Sequence, residues 1–331
     1  MRVLLDARRA TAVAVVILSI GLSAQQPPAA QPPADTPAIT ATIEAARKAA
    51  APEFTDAVHF WCEAPRANRV DDPPIAPTKI LDNVYAIGNS GTTVYVLQTT
   101  AGLLMIDALF GNQVETQLLP GFRALGLDPA QVKIVLVTHG HADHFGGAAY
   151  FQEKFGSKVY VSAADWMVME NPPPARGGRG PAGPPATIPK HDAEIVDGQK
   201  ITLGDLTVTP VAVPGHTPGS MAFIFPVKDR GASHTAALFG GAWLTPNILS
   251  DQALETFAAS VAKFRSATSA ARVDTLLQNH MLMVPIQDKL DALARRKPGD
   301  PNPFVVGPAA YQKFVGVMAA CTNVNLARRR L

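Results

Sequence analysis

Short runs of apolar and β-branched residues recur along the chain, separated by segments rich in glycine and proline. Runs of this length and composition are typical of buried β-strands. Between and after them, apolar residues recur every three or four positions, as on the buried face of an α-helix. The pattern predicts strands at 83–87, 93–98, 103–107, 133–138, 158–162, 206–213, 221–225, 236–239 and 275–278, and helices at 113–125, 145–155, 163–170, 254–268, 285–296 and 309–327.

The order of these elements indicates the class of fold. Interspersed strands and helices favour a layered α/β domain in which two sheets face each other and helices cover the outside. A nucleotide-binding doubly wound sheet is not indicated. The sequence has no Gly-x-Gly-x-x-Gly segment after its first predicted strand and no lysine-containing phosphate loop.

The first 24 residues have the composition of a secretory signal peptide. Three arginines precede the apolar run 10–22, which is followed by the small residues Ser23 and Ala24. A basic start, a short apolar run and a small-residue cleavage site are typical of such a signal. A retained membrane anchor is the alternative, but the run is shorter than the roughly 20 residues that span a bilayer. We therefore expect cleavage after Ala24, no stable membrane insertion afterwards, and a periplasmic or secreted protein.

Residues 25–52 are predicted to form a linker and an N-terminal arm. The segment 25–37 is rich in Pro, Ala and Gln and has no apolar period, as in an extended linker. The remainder, 53–331, contains one comparable stretch at 172–189. That stretch is interpreted as a long loop because it lies inside the region that carries the motifs described below. One domain is therefore expected over 53–331.

Removing the signal peptide leaves the chain electrically neutral. The 29 Lys and Arg and the 27 Asp and Glu include three arginines and one aspartate in the first 24 residues, so 26 of each sign remain. A neutral surface gives no electrostatic reason to expect nucleic acid or an anionic membrane as a partner. A small-molecule substrate and a monomeric protein are expected instead.

Two cysteines, Cys62 and Cys321, lie near the two ends of the predicted domain. Neither has the spacing of a zinc-binding pair. In an exported protein an isolated pair is more often a disulfide than a redox site, and two unpaired buried thiols are the alternative. We expect a disulfide between them.

The densest group of metal-binding residue types follows a predicted strand, where positions 138–144 have the sequence THGHADH. Residues two apart in an extended segment point to the same side, so His139 and His141 can reach one ion. Asp143 and His144 follow at the start of a predicted helix. Imidazole and carboxylate groups together suit zinc, whose catalytic sites keep a coordination position open for water.

Two further histidines can join this group. His216 lies in the turn-rich segment PGHTPGS at 214–220, and His280 closes the predicted strand 275–278. Loops and strand ends are common positions for side chains that face a site. Three other histidines lie in polar or proline-rich surroundings and are expected to be solvent-exposed: His59, His191 and His234.

The order of the motifs resembles that of the metallo-β-lactamase superfamily: His-x-His-x-Asp-His, then Gly-His-Thr-Pro-Gly-Ser, then a late histidine at a strand end. The resemblance covers roughly 80–280 and implies an αββα four-layer sandwich with a site for two zinc ions at the sheet edges. It also implies that Asp107 has a structural role behind the metal ligands. The implied ligands are His139, His141 and His216 for the first zinc, and Asp143, His144 and His280 for the second.

One position departs from most of the superfamily. Most of its hydrolases have an Asp that bridges the metals after the strand that follows the Gly-His motif, and one β-lactamase subclass has a Cys there. The matching residue here is Ala242, which cannot bind a metal. The chain therefore most resembles the class B β-lactamase subclass with only His and Asp ligands, as does its segment NPF at 302–304. However, Ala242 and Trp243 replace the small hydroxyl residues that hold the drug carboxylate in that subclass.

The resemblance implies a zinc-dependent hydrolase, with β-lactam hydrolysis as the leading function. A water shared by the two zinc ions would lose a proton near neutral pH and attack the carbonyl, while Asp143 orients it and relays a proton. Two alternatives stay open. One is another hydrolase of the superfamily that acts on a lactone, an ester or a phosphodiester. The other is a mononuclear iron oxygenase of the persulfide dioxygenase kind, which the missing bridging Asp disfavours.

Overall fold

The structure is a computed structural model that describes residues 34–63, 72–171, 186–244 and 249–331. Residues 35–331 belong to one compact unit. The predicted signal peptide, the linker up to residue 33 and most of the predicted loop 172–189 lie outside the described residues. Among the helices in the described ranges, none combines the length and the hydropathy that a bilayer-spanning segment needs.

Within the described residues, one of two sheets contains seven strands, which lie side by side in the order of the sequence. They are β1 (Thr78–Leu81), β2 (Val84–Gly88), β3 (Thr93–Thr99), β4 (Gly102–Ile106), β5 (Val132–Leu136), β6 (Lys158–Val161) and β7 (Ala193–Glu194). Neighbours are antiparallel from β1 to β4 and parallel from β4 to β7. The parallel strands place their carboxyl ends at one edge of the sheet.

The second sheet has five strands in the described part of the chain. They are β8 (Ile201–Leu203), β9 (Leu206–Ala212), β10 (Met221–Asp229), β11 (Ala232–Leu238) and β12 (Thr275–Leu276). Their order across the sheet is β12-β11-β10-β9-β8. The pairs from β8 to β11 are antiparallel, whereas β12 is parallel to β11.

Helices connect the strands and flank the two sheets. They are α1 (Pro37–Ala50), α2 (Thr55–Val58), α3 (Leu119–Ala124), α4 (Ala142–Phe145), α5 (Ala148–Phe155), α6 (Ala163–Glu170), α7 (Asp251–Ala270), α8 (Ile286–Ala294) and α9 (Pro308–Arg328). Serine side chains cap the first turns of α6 and α7, at Ser162 and Ser250. Such caps satisfy amide groups that have no partner inside the helix.

Both faces of the first sheet are buried, as the residues of β4 show. Leu104 and Ile106 belong to the hydrophobic cluster that the first sheet shares with the second sheet. The alternate residues Leu103 and Met105 belong to a separate cluster with α3, α5 and α6. Alternation with period two assigns successive side chains to opposite faces of a sheet. The layering confirms the predicted αββα sandwich.

The predicted helix at 113–125 is divided in the structure. The segment contains a π-helical turn at Val114–Leu118, which is followed by α3. Pro120 lies near the start of α3 and has no amide hydrogen to donate to a preceding turn. A continuous α-helix through this proline is therefore disfavoured.

The N-terminal arm contains α1, which the sequence analysis did not predict as a helix. Its buried residues are Ile39, Ile43, Ala46 and Ala50, which recur at helical spacing. They join the larger hydrophobic cluster, to which α9 also contributes. Two of the four are alanines, so the apolar periodicity is weak in the sequence although the packing is clear in the structure.

Cys62 and Cys321, the pair proposed from the sequence, form a disulfide in the structure. The bond joins the π-helical segment His59–Glu63 to α9 and closes a loop across a sequence separation of 259 residues. In the chain-entropy model, closing so long a loop stabilises the folded state by about 5 kcal/mol. Disulfides of this kind are typical of proteins from oxidising compartments.

Candidate metal centre

The residues predicted to bind metal lie in loops and in the short helix α4 at one edge of the sandwich. His139 and His141 follow β5, and α4 comes directly after them. His216 follows β9, and His280 follows β12. The strand ends thus bring together residues that are far apart in the sequence.

The first group of candidate ligands consists of His139, His141 and His216. One ring nitrogen from each lies within 4.8 Å of the others. Nε2 of His216 is 3.1 Å from Nδ1 of His141. Two nitrogens that bind one tetrahedral zinc at its usual bond length are about 3.3 Å apart. The observed spacing suits a shared ion.

The second group lies beside the first. Nε2 of His144 is 3.1 Å from Nε2 of His280, and 3.1 Å from Oδ2 of Asp143. The same Asp143 oxygen is 3.8 Å from Nε2 of His280. His139 also lies within 4.8 Å of His144 and His280, so it stands between the two groups.

His139 provides an independent indication that the site accommodates a metal. Its Nε2 is buried and has no hydrogen-bond partner among the described residues, whereas its Nδ1 is 3.1 Å from the hydroxyl of Thr138. A buried polar atom without a partner destabilises the fold by roughly 1–3 kcal/mol. A metal ion would satisfy this nitrogen, so the residues present fit the metal that the site chemistry implies.

Backbone carbonyl groups determine which ring nitrogens are free to bind. Nδ1 of His216 donates to the carbonyl oxygen of Trp243 at 2.8 Å, and Nδ1 of His280 donates to that of Gly91 at 2.8 Å. A carbonyl oxygen only accepts, so both Nδ1 atoms carry the hydrogen. Each Nε2 therefore keeps a lone pair that faces the site, as in metal-binding histidines.

Asp107 supports His144 from behind the site. Its fully buried carboxylate accepts hydrogen bonds from Nδ1 of His144 at 2.7 Å, from the amide of Thr138 at 2.8 Å and from Nδ2 of Asn279 at 3.1 Å. The backbone φ of Asp107 is 65°, a conformation that Asp tolerates better than most residues. These contacts direct Nε2 of His144 toward Asp143 and His280.

Most of the clustered histidines are neutral in this environment. Burial, followed by the neighbouring histidines, holds the pKa of His139 and His216 well below the usual range. Burial and the adjacent His144 lower the pKa of His280 to about 4. Metal ions bind the neutral form of imidazole, so these side chains are ready to act as ligands near neutral pH.

His144 differs because two carboxylates face it. Burial alone would lower the pKa of His144, but Asp143 and Asp107 outweigh burial and raise it to about 10. Burial would likewise raise the pKa of Asp143, yet His144 beside it holds that pKa well below the usual range. The carboxylates therefore favour positive charge where His144, Asp143 and His280 meet.

The described residues that directly follow β11, 239–244, pack against the first group without adding a ligand. Ala242 is fully buried, and its carbonyl accepts a hydrogen bond of 2.7 Å from the indole of Trp61. Gly241 has a φ of 70°, and a Cβ there would come within 2.8 Å of the His216 side chain. The ring of Trp243 lies 5.5 Å from that of His280. Glycine at 241 is thus required for the close approach of this loop.

The three remaining histidines are outside the candidate ligand groups. The side chains of His59 and His191 are 65% and 42% exposed, in line with the sequence analysis. The expectation that His234 is exposed is wrong. Its side chain is 20% exposed, with Nδ1 2.7 Å from Asp274, because Asp274 directly precedes β12 beside β11.

The sequence analysis missed several residues that hold the site. Thr138 and Asn279 donate hydrogen bonds to Asp107, and the hydroxyl of Thr92 donates to Asp143 at 3.3 Å. Thr138 and Asn279 directly precede predicted ligands, and this adjacency is the signal that could have identified them. The carboxylate of Asp165 accepts a hydrogen bond of 2.7 Å from the amide of Gly140, between His139 and His141, and this residue has no comparable signal in the sequence.

The αββα sandwich and the histidine-rich centre at its strand ends define a class of metal-dependent hydrolases. A family model described as the metallo-beta-lactamase superfamily matches residues 87–230. Residues 87–230 thus contain a domain of this superfamily, which confirms the resemblance found in the sequence.

Two curated relatives show the diversity of this superfamily. The hydroxyacylglutathione hydrolase of Acidiphilium cryptum is 34% identical over 105 residues, which cover 32% of this chain and 35% of that protein. The exodeoxyribonuclease WalJ of Streptococcus pneumoniae is 28% identical over 148 residues, which cover 45% of this chain and 50% of that protein. The matches span about a third to a half of these relatives.

A solved structure is similar over a larger part of the chain. BJP-1 of Bradyrhizobium japonicum, a subclass B3 metallo-beta-lactamase, has a TM-score of 0.67 and is 27% identical to this chain. The similarity covers 78% of this chain and 96% of BJP-1. Unlike the curated matches, it extends over nearly the whole of the compared protein.

Proposed function

We propose that this chain is an exported, monomeric zinc-dependent hydrolase that opens the amide bond of β-lactams. The observation that carries the proposal is the pair of converging ligand groups, which contains only histidine and aspartate and receives no ligand from Ala242. The similarity to BJP-1 over most of both chains supports the β-lactam substrate. The disulfide supports export, since such bonds persist in oxidising compartments.

In this proposal two zinc ions are held by six side chains: His139, His141 and His216 for one ion, and Asp143, His144 and His280 for the other. When bound, zinc supplies Lewis acidity, which polarises a carbonyl oxygen and lowers the pKa of water to about 7. No side-chain nucleophile is then required.

The protein's own groups orient the ligands and handle the proton. Asp107 and the carbonyl groups of Gly91 and Trp243 fix the imidazole rings through their Nδ1 atoms. The Oδ2 of Asp143 faces His144 and His280 and is held by the hydroxyl of Thr92, so Oδ1 is the oxygen that can accept a proton and pass it to the leaving nitrogen.

The centre is open to a substrate on one side. His139, His144 and His280 are buried, whereas His141 is exposed and His216 is half-buried. A carbonyl group therefore approaches from the side of His141 and His216. A buried inner side and an accessible outer side are what a hydrolytic metal site requires, because one position must stay open.

Hydrolysis of a different acyl bond at the same centre is the second candidate. The match to a hydroxyacylglutathione hydrolase favours it, as does the large Trp243 ring beside His280. In that case the preferred substrate is a thioester or an ester, and the ligands and the proton-handling residues keep the same roles.

Purified zinc-loaded protein tests the proposal directly. We expect hydrolysis of a chromogenic cephalosporin, a loss of more than about 100-fold when a chelator removes the metal, and recovery when zinc returns. A hydroxyacylglutathione thioester serves as the comparison substrate. Zinc-dependent hydrolysis of the thioester with no turnover of the cephalosporin would reject the β-lactam substrate in favour of the second candidate.

A further inference from the structure

The carboxylate of Asp165 lies between the two loops that carry the first ligand group. Asp165 is in the first turn of α6 and is fully buried. Its Oδ2 accepts hydrogen bonds from the amide of Gly140 and from the hydroxyl of Thr217, both at 2.7 Å. Its Oδ1 accepts one from the amide of Gly219 at 2.8 Å.

Two of these three contacts are made by residues that are adjacent to candidate ligands. Gly140 lies between His139 and His141, and Thr217 directly follows His216. One carboxylate therefore joins the backbone of the first loop to the second loop. His141 and His216, which lie in these two loops, are 75 positions apart in the sequence. Their ring nitrogens are nevertheless within 3.1 Å of each other.

The second loop also rests directly on the start of α6. The hydroxyl of Ser162, which caps this helix, donates to the carbonyl oxygen of Gly219 at 2.7 Å. A Cβ at Gly219 would overlap that hydroxyl and would come within 2.7 Å of Cγ of Asp165. The start of α6 therefore supports the loop that carries His216.

A buried carboxylate at this point destabilises the folded state unless it is fully hydrogen-bonded. In the described part of the chain, the ion pairs of lysine and arginine do not include Asp165. Three hydrogen bonds offset the loss of hydration, but an apolar side chain would fill such a position without that cost. The carboxylate is therefore better explained by what it joins than by its contribution to the core.

We propose that Asp165 is a positioning residue for the metal centre. By joining the backbone at Gly140 to Thr217 and Gly219, it holds the ligand atoms of His141 and His216 at binding distance. It thereby raises the affinity of the first group for zinc. This inference rests on the zinc centre of the proposed function and does not depend on which acyl substrate is hydrolysed.

Asp165→Asn is the main test. The amide keeps the shape of the side chain but replaces one accepting oxygen with a donating NH₂ group, which must face at least one backbone amide. We expect the affinity of the first group for Zn²⁺ to fall about 10- to 100-fold, the usual effect of removing a group that orients ligands. Titration of metal-free protein with Zn²⁺ against a chromogenic chelator measures this affinity.

Thr217→Val and Asp229→Asn complete the design. Thr217→Val removes one of the three hydrogen bonds, so we expect a smaller loss of Zn²⁺ affinity. If Asp165→Asn does not fold, this variant tests whether Asp165 positions the zinc ligands. Asp229 is hydrogen-bonded to Arg296 and Asn302 at the other end of β10. Its replacement by Asn should lower the melting temperature and leave Zn²⁺ affinity unchanged.

The absorption spectrum of the Co²⁺-substituted protein gives a second readout that a purely structural role would not change. We expect Asp165→Asn to shift the visible Co²⁺ bands, and Asp229→Asn to leave them as in the wild type. If both variants melt earlier and bind Zn²⁺ like the wild type, with unchanged Co²⁺ bands, Asp165 is only a structural residue. A wild-type chain that binds no zinc would instead overturn the centre itself, whereas lack of β-lactam turnover would leave this inference intact.

Discussion

His139→Ala is expected to abolish zinc binding and hydrolysis together. His139 stands between the two ligand groups, and in the described part of the chain its buried Nε2 has no hydrogen-bond partner. Its loss therefore weakens both groups, and the Lewis acidity that contributes several kcal/mol to catalysis is lost with them. We expect a decrease in kcat/KM of at least about 1,000-fold, which corresponds to roughly 4 kcal/mol. Elemental analysis after dialysis, together with the hydrolysis rate, measures both effects.

His191→Ala is the matched control for this variant. His191 is 42% exposed, and its ring stacks on Trp166 at a centroid distance of 4.4 Å, away from the two ligand groups. Its replacement should leave zinc content and kcat/KM within about twofold of the wild type, as is usual for surface positions. A His139→Ala variant that retained its zinc and its activity would show that His139 is not a ligand.

Asp143→Asn has the second largest expected effect. The amide retains an oxygen that can accept from Thr92, but it removes the negative charge next to His144 and His280. The second group then loses its anionic ligand and its proton acceptor. We expect zinc content to fall from two ions toward one, and kcat to fall by about 10²- to 10⁴-fold. Metal analysis and steady-state kinetics on the same sample measure the two changes.

Asp197→Asn provides the corresponding control. Asp197 forms an exposed ion pair with Lys263, with an N–O distance of 2.8 Å. Exposed ion pairs contribute little to stability, so this variant should keep its zinc and its activity. Two zinc ions retained by Asp143→Asn at full affinity would contradict the placement of Asp143 in the second group.

The central strands could be predicted from the sequence because their residue pattern is local. β3 and β5 are apolar, β-branched runs that the two hydrophobic clusters bury on both faces. The short strands β1, β7 and β8 were missed. β7 contains two residues and β8 three, which is too few for a periodic pattern. Their strand conformation comes from pairing with longer neighbours, which a local pattern does not show.

The candidate ligands were predictable for a related reason. His139, His141, Asp143 and His144 lie within six consecutive residues, and their spacing carries the chemical signal. Contacts that depend on packing carry no such signal. The indole of Trp61 reaches Ala242 across 181 positions, and Asp165 reaches Thr217 across 52. Only the folded arrangement of the loops shows which polar residues hold them in place.

Metal analysis of the purified, unmodified protein tests the central claim most directly. Six side chains of zinc-binding type converge in two adjacent groups, and their histidines are largely neutral near pH 7. The account predicts close to two zinc ions per chain, by elemental analysis of protein prepared without added chelator. One equivalent of iron with no zinc would contradict the hydrolase and indicate an iron oxygenase instead.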